Sequence, residues 1–284
     1  VIAYRDFYYP LNVFMHILTH EEGGASSLHY GLFERAEESI EAAQERSTSL
    51  LMSRLPPPPA RLLDVGVGLG TTLARLTALG YDAEGITPDE KQAAVARASG
   101  AEDRPEPVLR VSVAKFETFD GPPPSRRLDR RRPAADRERD ALGPAGEDAG
   151  GPMAYDVLLF QESSQYIDSD ALFAKARALA PRVLVLDEFA MQPLAEEGAL
   201  RPLDGFLRAA AANGFRLVED LDLSAKAAPT VDYFRARLPR YRAALIADLG
   251  LTDAQIDDLI AGGERYANRY HDGVYAYRLL DLKR

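Results

Sequence analysis

The chain has no cysteine. Disulfides, thiolate metal sites and cysteine nucleophiles are therefore excluded, and a soluble cytoplasmic protein is the default expectation. A net positive charge is missing too: 44 acidic residues against 34 basic ones leave a formal charge of −10. That balance gives no global electrostatic case for DNA or RNA as a partner. No apolar run approaches the roughly 18 residues a membrane helix needs, so no membrane partner is expected. The opening Val1-Ile2-Ala3-Tyr4-Arg5-Asp6 lacks the basic stretch and apolar core of a secretory signal. Neither a G-x-S-x-G nucleophile elbow nor a G-x-x-x-x-G-K-S/T phosphate loop is present. Histidine is scarce, at four residues. His16 and His20 stand four apart on a helical pattern, a spacing that can pair on a metal. No third ligand lies nearby in sequence, so packing or capping roles are expected and no metal is assigned.

What is present is an ordinary globular composition. The 284 residues are 46% hydrophobic and 27% charged, enough for a large core. Basic charge carried mostly by Arg, with abundant Ala and Pro, suggests a GC-rich bacterial genome.

Residues 1–58 read as a helical cap. Its clearest helix, Glu37 to Leu55, puts Ile40, Ala43, Ser47, Leu50, Leu51 and Leu55 near one face and stops at the prolines 56–59. From residue 59 on, apolar strands and helical patterns alternate. Strands are expected at 61–66, 81–87, 108–113, 155–161, 182–189 and 215–222. Helices are expected at 71–79, 88–99, 170–179 and 200–212. Such alternation predicts an α/β fold: a Rossmann-like, doubly wound, mostly parallel sheet, completed to seven strands by one at 273–281. Before that last strand, 225–271 reads as a lid of two helices, the second opened by a Thr252-x-x-Gln255 capping box. The stretch 121–153 breaks the rhythm with Pro122-Pro123-Pro124 and Arg130-Arg131-Arg132 and has little to bury. It is expected to be a disordered insertion.

The strongest chemical signal follows the first strand. In Asp64-Val65-Gly66-Val67-Gly68-Leu69-Gly70-Thr71, glycines let the backbone turn tightly and approach a ligand at a helix N-terminus. The dinucleotide fingerprint G-x-G-x-x-G does not fit this spacing, which disfavours a nicotinamide oxidoreductase. The spacing instead resembles the first motif of class I S-adenosylmethionine-dependent methyltransferases. Three further segments resemble the cyclopropane-synthase-like, small-molecule branch of that family. After the second strand come Thr87 and Gln92, where many class I enzymes keep an acid. Lys115-Phe116-Glu117-Thr118-Phe119-Asp120 is similar to an aromatic–acid segment, with Phe116 in place of the usual Trp. Phe160-Gln161-Glu162-Ser163-Ser164-Gln165-Tyr166 is similar to the end of the fourth strand. Near the N-terminus, His29-Tyr30-Gly31-Leu32-Phe33 resembles a His-x-Gly-aromatic segment, and Tyr266, Tyr270, Gly273 and Tyr277 resemble the closing Tyr-rich helix and strand.

The resemblance implies S-adenosyl-L-methionine as cofactor. It would be held by His29, Tyr30, Asp64, Gly66, Gly68, Gly70, Thr87, Gln92, Phe116, Glu117 and Gln161. It also implies methyl transfer to a small-molecule acceptor, as in bacterial specialised metabolism, with Glu162 and Tyr166 facing the methyl group. Two departures argue against cyclopropanation: Gln165 stands where cyclopropane synthases carry Glu, and cysteine is absent. The residues alone leave other readings open. Thr87 with Glu90 would make a capping box, Phe116 a core aromatic and Glu162 a solvated loop acid. At the level of function, a nucleic-acid methyltransferase is disfavoured by Gln161-Glu162-Ser163-Ser164 in place of an Asp/Asn-Pro-Pro-aromatic motif. A non-catalytic cofactor-binding partner of another enzyme stays open, as does a homo-oligomer. Asp187-Glu188, after the fifth strand, are expected to line the same sheet edge.

Overall fold

The computed structural model describes residues 5, 7–35, 37–99, 109–121, 153–196 and 198–284. The expected disordered insertion at 121–153 falls outside the described residues, except for its two end positions.

Seven strands form one sheet: β1 (Arg61–Val65), β2 (Asp82–Thr87), β3 (Val111–Val113), β4 (Val157–Gln161), β5 (Arg182–Ala190), β6 (Arg216–Asp222) and β7 (Tyr275–Lys283). Their order is β3-β2-β1-β4-β5-β7-β6. β1 to β5 pair in parallel, and β7 runs antiparallel between β5 and β6. The expected seven-stranded, mostly parallel sheet is therefore formed.

The central strands are apolar on both faces, as a parallel sheet covered by helices requires. Leu63, Val65, Leu158, Phe160, Val183 and Val185 belong to one core. Their neighbours Leu62, Val157, Leu159, Leu184 and Leu186 belong to the other. Helices α5 (Ser169–Leu179) and α6 (Leu203–Ala212) fill the first core with Leu172, Phe173 and Phe206. Helices α3 (Thr71–Ala78) and α4 (Glu90–Ser99) fill the second with Leu73, Leu76, Ala93 and Ala96. The chain changes direction across the sheet between β1 and β4. In open α/β sheets that crevice, at the carboxyl ends of the strands, is where ligands bind.

The cap is α1 (Leu11–Glu22) and α2 (Ile40–Met52), joined by a coil, so residues 1–58 are less helical than expected. Ser39 caps α2 by accepting from the Ala42 N–H. The lid is a short turn of helix, α7 (Ser224–Ala227), then α8 (Pro229–Leu249) and α9 (Asp253–His271). The Thr252–Gln255 capping box forms as the sequence predicts. Cap and lid share a small core of their own, in which Val13, Ile17 and Leu18 meet Tyr233, Leu238, Leu245 and Ile256. The expected Thr87–Glu90 capping box is corrected. Asp89 holds the start of α4, its Oδ1 accepting from Lys91 N at 2.8 Å and Gln92 N at 3.1 Å. That leaves the Thr87 hydroxyl for another partner.

Candidate active site

The glycine loop between β1 and α3 is pinned from below: the N–H groups of Gly66 and Val67 both donate to the Ile86 carbonyl of β2. Its three glycines have positive φ, and their surroundings differ. A Cβ at Gly66 would lie 2.4 Å from Ser163 Cβ, and one at Gly70 would lie 2.8 Å from Ala96 on α4. Those two are glycines because protein packs against them. A Cβ at Gly68 would meet nothing closer than Leu28 Cδ1 at 3.8 Å. It would point into open space.

That space is a cavity of about 470 Å³ at the carboxyl edge of the sheet, lined by the loop, the ends of β2 and β4, and residues 114–117. Asp64, at the base of the loop, is buried, and its Oδ2 has no hydrogen-bond partner. Burial pushes its pKa up to about 7. A buried carboxylate oxygen in that state costs free energy unless a donor arrives, and the cavity is the side from which one can come. Across the cavity, Thr87 Oγ1 donates to Gln92 Oε1 at 3.1 Å. Phe116 is buried edge-on against Phe160, centroids 5.2 Å apart, so it is both core aromatic and cavity wall.

A directed chain of hydrogen bonds ties the cap to the end of β4. His29 Nδ1 lies 3.0 Å from the Tyr30 carbonyl and must donate to it, which leaves Nε2 as acceptor for the Thr48 hydroxyl at 3.0 Å. Gln161 Nε2 donates to Thr48 Oγ1 at 3.5 Å, and Gln161 Oε1 accepts from Thr72 at 3.2 Å. Burial lowers the His29 pKa to about 4, so the ring stays neutral at physiological pH.

Glu162 is the residue whose environment the sequence did not reveal. Its φ is +54°, the one positive value outside glycine among the described residues. Such a conformation is strained by about 1–3 kcal/mol and persists where surrounding contacts hold it. Here Oε1 accepts from the Tyr30 N–H at 2.5 Å and from the Tyr277 hydroxyl at 2.6 Å. Burial, and then the nearby Glu188 charge, push its pKa well above the usual carboxylate range. Glu188 is itself buried and accepts from Tyr270 at 2.5 Å, with Tyr266 and Tyr30 also reaching it. Burial raises Glu188 to about 7. Asp187 turns elsewhere, accepting from Ser164 Oγ at 2.6 Å and from the Gln165 N–H at 3.2 Å. It fixes the turn after β4.

The cavity lining brings together His29, Asp64, Gly66, Gly68, Thr87, Gln92, Phe116, Glu117, Gln161, Glu162 and Tyr166. Two expected residues stand outside it. Gly70 serves the approach of α4. Tyr30 faces a second, more apolar cavity of about 370 Å³ between cap and lid, lined also by Phe14, Leu18, Phe234 and Leu238. The two cavities share Leu11, Leu28 and His29 as a wall. Tyr166 is 76% exposed at the mouth of the first cavity. Desolvation of the part of the ring that faces the cavity, and then the neighbouring Tyr8 and the carboxylates Asp187, Glu162 and Glu188, raise its pKa above that of a free phenol. Sequence reasoning missed Tyr8, Ser27, Leu28 and Thr72 as lining residues, and Thr48 as the partner of His29 and Gln161. None of the five carries a sequence pattern of its own. Thr72 is placed by the first turn of α3, and the others by the packing of the cap on the sheet.

No family model matches this sequence, and no curated protein matches it. Solved structures do. The cyclopropane synthase MmaA2 from Mycobacterium tuberculosis superposes with a TM-score of 0.70 at 20% identity, over 91% of this chain and 90% of that one. The cyclase SpnF gives 0.70 at 19% identity, over 95% and 92%. Geranyl diphosphate C-methyltransferase from Streptomyces coelicolor A3(2), solved with Mg2+, geranyl diphosphate and S-adenosyl-L-homocysteine, gives 0.63 at 18% identity, over 100% and 99%. The fold is that of class I methyltransferases and cyclopropane synthases. Within this methyltransferase fold, the glycine loop and the Asp64 carboxylate occupy the ligand crevice between β1 and β4.

Proposed function

We propose that the chain is an S-adenosylmethionine-dependent methyltransferase acting on a small-molecule acceptor. The observation that carries this reading is the crevice itself: Gly68 leaves the loop open to a ligand, and buried Asp64 offers an oxygen that lacks a donor. A cofactor with an ammonium group and ribose hydroxyls suits that donor set. Asp64, Gly66 and Gly68 would hold it on one side, Thr87, Gln92, Phe116 and Glu117 on the other, and Gln161 with His29 would close the cavity. When bound, S-adenosylmethionine supplies an electrophilic methyl group on a sulfonium.

The chain's own residues must then place a nucleophile in line and exclude water. Alignment of two bound reactants can supply about 7–11 kcal/mol of the barrier. The apolar cavity between cap and lid suits the body of the acceptor. Its walls of Leu11, Phe14, Leu18, Phe234 and Leu238 favour a largely apolar molecule. Glu162, held by Tyr30 and Tyr277, takes the proton that a protonated acceptor must lose. Tyr166 at the cavity mouth orients the acceptor by hydrogen bonding. A bacterial source, a role in specialised metabolism and a cytoplasmic location accord with composition, and the net charge of −10 disfavours nucleic acid. Among the described residues no helix is long and apolar enough to cross a membrane.

Calorimetry with S-adenosylhomocysteine, with NADH as control, tests the cofactor. An acceptor screen read by S-adenosylhomocysteine release tests the reaction. Micromolar binding of the first and none of NADH is expected. NADH binding without S-adenosylhomocysteine binding would overturn the cofactor assignment. Cofactor binding with no turnover across amines, phenols, isoprenoids and polyketides would favour a non-catalytic partner.

A further inference from the structure

His16 and His20 lie one helical turn apart on α1, and the third ligand they need is not the adjacent Glu21 or Glu22, which accept from Tyr241 and Tyr233. The fold supplies one from 228 residues beyond His20: Asp248, in the last turn of α8. Its Oδ2 lies 3.0 Å from His16 Nε2. The two imidazoles stack face to face, centroids 4.2 Å apart and 26° from parallel. One ligand atom from each of the three residues falls within 4.8 Å of the other two.

We propose that His16, His20 and Asp248 bind a divalent transition-metal ion of the zinc class, tying the cap helix α1 to the lid helix α8. The ring state of His20 suits this. Its Nδ1 lies 2.8 Å from the His16 carbonyl, which can only accept, so the proton sits on Nδ1 and the lone pair is on Nε2. A backbone carbonyl on the far nitrogen is how metal-binding histidines are commonly oriented. Two imidazoles and one carboxylate are a recurrent ligand set for zinc, with a fourth position left for water. At metal–ligand distances of about 2.0–2.1 Å, ligands in a tetrahedron stand roughly 3.3 Å apart. The His16–Asp248 separation already matches, and the exposed His20 ring must move closer. When Nε2 takes the ion, the His16 ring proton moves to Nδ1, and the His16–Asp248 hydrogen bond is exchanged for two bonds to the metal. Arg5 is the opposing cation, its Nη2 3.3 Å from Asp248 Oδ1. It holds the other carboxylate oxygen, and its side chain is 60% exposed. Imidazole ligands disfavour magnesium and calcium, which prefer all-oxygen sites.

The consequence concerns the apolar cavity. α1 contributes Leu11, Phe14 and Leu18 to its wall, and α8 contributes Phe234 and Leu238. An ion joining the two helices would stabilise the closed arrangement of cap on lid. This holds whatever reaction the chain performs.

The test uses the full untagged chain, titrated with Zn2+ and with Co2+. One ion per chain is expected, with a visible absorption band for Co2+ and a raised melting temperature for Zn2+. His20→Ala and Asp248→Asn should each weaken binding at least about tenfold. His271→Ala, an exposed histidine elsewhere, should bind like the wild type, and Mg2+ should not compete. His20 is exposed, so its variant folds and decides the matter even if the Asp248 variant does not. No saturable binding of either ion, or equal binding by the wild type and His20→Ala, would overturn the proposal and leave His16–Asp248 as a plain helix–helix hydrogen bond.

Discussion

Tyr277, on the last strand, donates its hydroxyl to Glu162 Oε1 at 2.6 Å, joining two residues 115 positions apart. Both are central to the proposed chemistry, and the bond sets the charge state of one of them. Burial raises the Glu162 pKa, and the Tyr277 hydroxyl is the largest opposing influence. Removing it should leave the carboxyl protonated to higher pH. In Tyr277→Phe the ascending limb of the turnover–pH profile should move to higher pH, because a hydrogen bond to the charged form is lost. Affinity for S-adenosylhomocysteine should hardly change. A lower melting temperature with the limb unmoved would make Tyr277 a packing residue only.

The glycine loop gives a second expectation, because its three glycines share a left-handed backbone but have different neighbours. Gly68→Val should fold and lose cofactor affinity, since its side chain enters open cavity. Gly70→Ala should instead unfold at lower temperature, because its Cβ meets Ala96 at 2.8 Å. Left-handed strain alone costs about 1–2 kcal/mol at either position, so the Gly70 variant should lose clearly more. Calorimetry and thermal melts on both variants check the split. A Gly68→Val protein that binds S-adenosylhomocysteine normally would remove this loop from the cofactor site.

Much of this architecture was legible in the sequence, for reasons that apply element by element. β1, β4 and β5 announce themselves as short apolar runs, and the glycine spacing after β1 marks the crevice. The failures share one cause: they depend on what comes from far along the chain. The strained, doubly hydrogen-bonded setting of Glu162 is not legible because Tyr30 and Tyr277 reach it from 132 and 115 residues away. His16 and His20 read as packing residues because Asp248 stands on another helix. Gly70 reads as a ligand contact because the nearness of Ala96 is a matter of helix packing. The start of α4 shows the same limit at short range. Thr87 and Asp89 are both good capping residues, and local pattern alone did not choose Asp89.

Asp64 predicts a pH dependence with a definite sign. Its pKa in the folded protein is about 7, against roughly 3.9 for an ordinary aspartate. Between about pH 4 and 7 the folded state therefore holds a proton that the unfolded state has lost. Stability contributed by this group is present at low pH and declines as pH rises through 7. Asp64→Asn should show a shallower decline than the wild type in denaturant titrations at pH 5 and pH 8. Glu188 has the same sign and keeps some slope in the variant. Cofactor donors favour the ionised form, so S-adenosylhomocysteine should bind the wild type more tightly above pH 7 than at pH 5.5, with proton release near pH 6. Calorimetry in buffers of different ionisation enthalpy measures that release. Equal release by Asp64→Asn would assign it to another group.

Glu162 and Tyr166 were expected to act as a catalytic pair, and their geometry now separates them. Glu162 lines the crevice with its carboxylate fixed by two donors and its backbone strained. Tyr166 is mostly exposed at the mouth, with a pKa near 12 that makes it a poor base at neutral pH. Proton transfer by a positioned side chain is worth about 10²–10⁴-fold, so Glu162→Gln should lower turnover by that factor and flatten the ascending pH limb. Tyr166→Phe retains the ring and loses one hydrogen bond to the acceptor. It should cost about tenfold or less in kcat/KM, on the scale of 0.5–1.5 kcal/mol for a neutral hydrogen bond. Cofactor affinity should be close to wild type in both. Steady-state kinetics per folded molecule, with the first acceptor found in the screen, separates the outcomes. If Tyr166→Phe loses as much turnover as Glu162→Gln, the mouth of the cavity closes over the acceptor during turnover and brings Tyr166 into the reaction. If neither loses turnover, the proton leaves by another route, with His29 and the lid tyrosines the nearest groups to test.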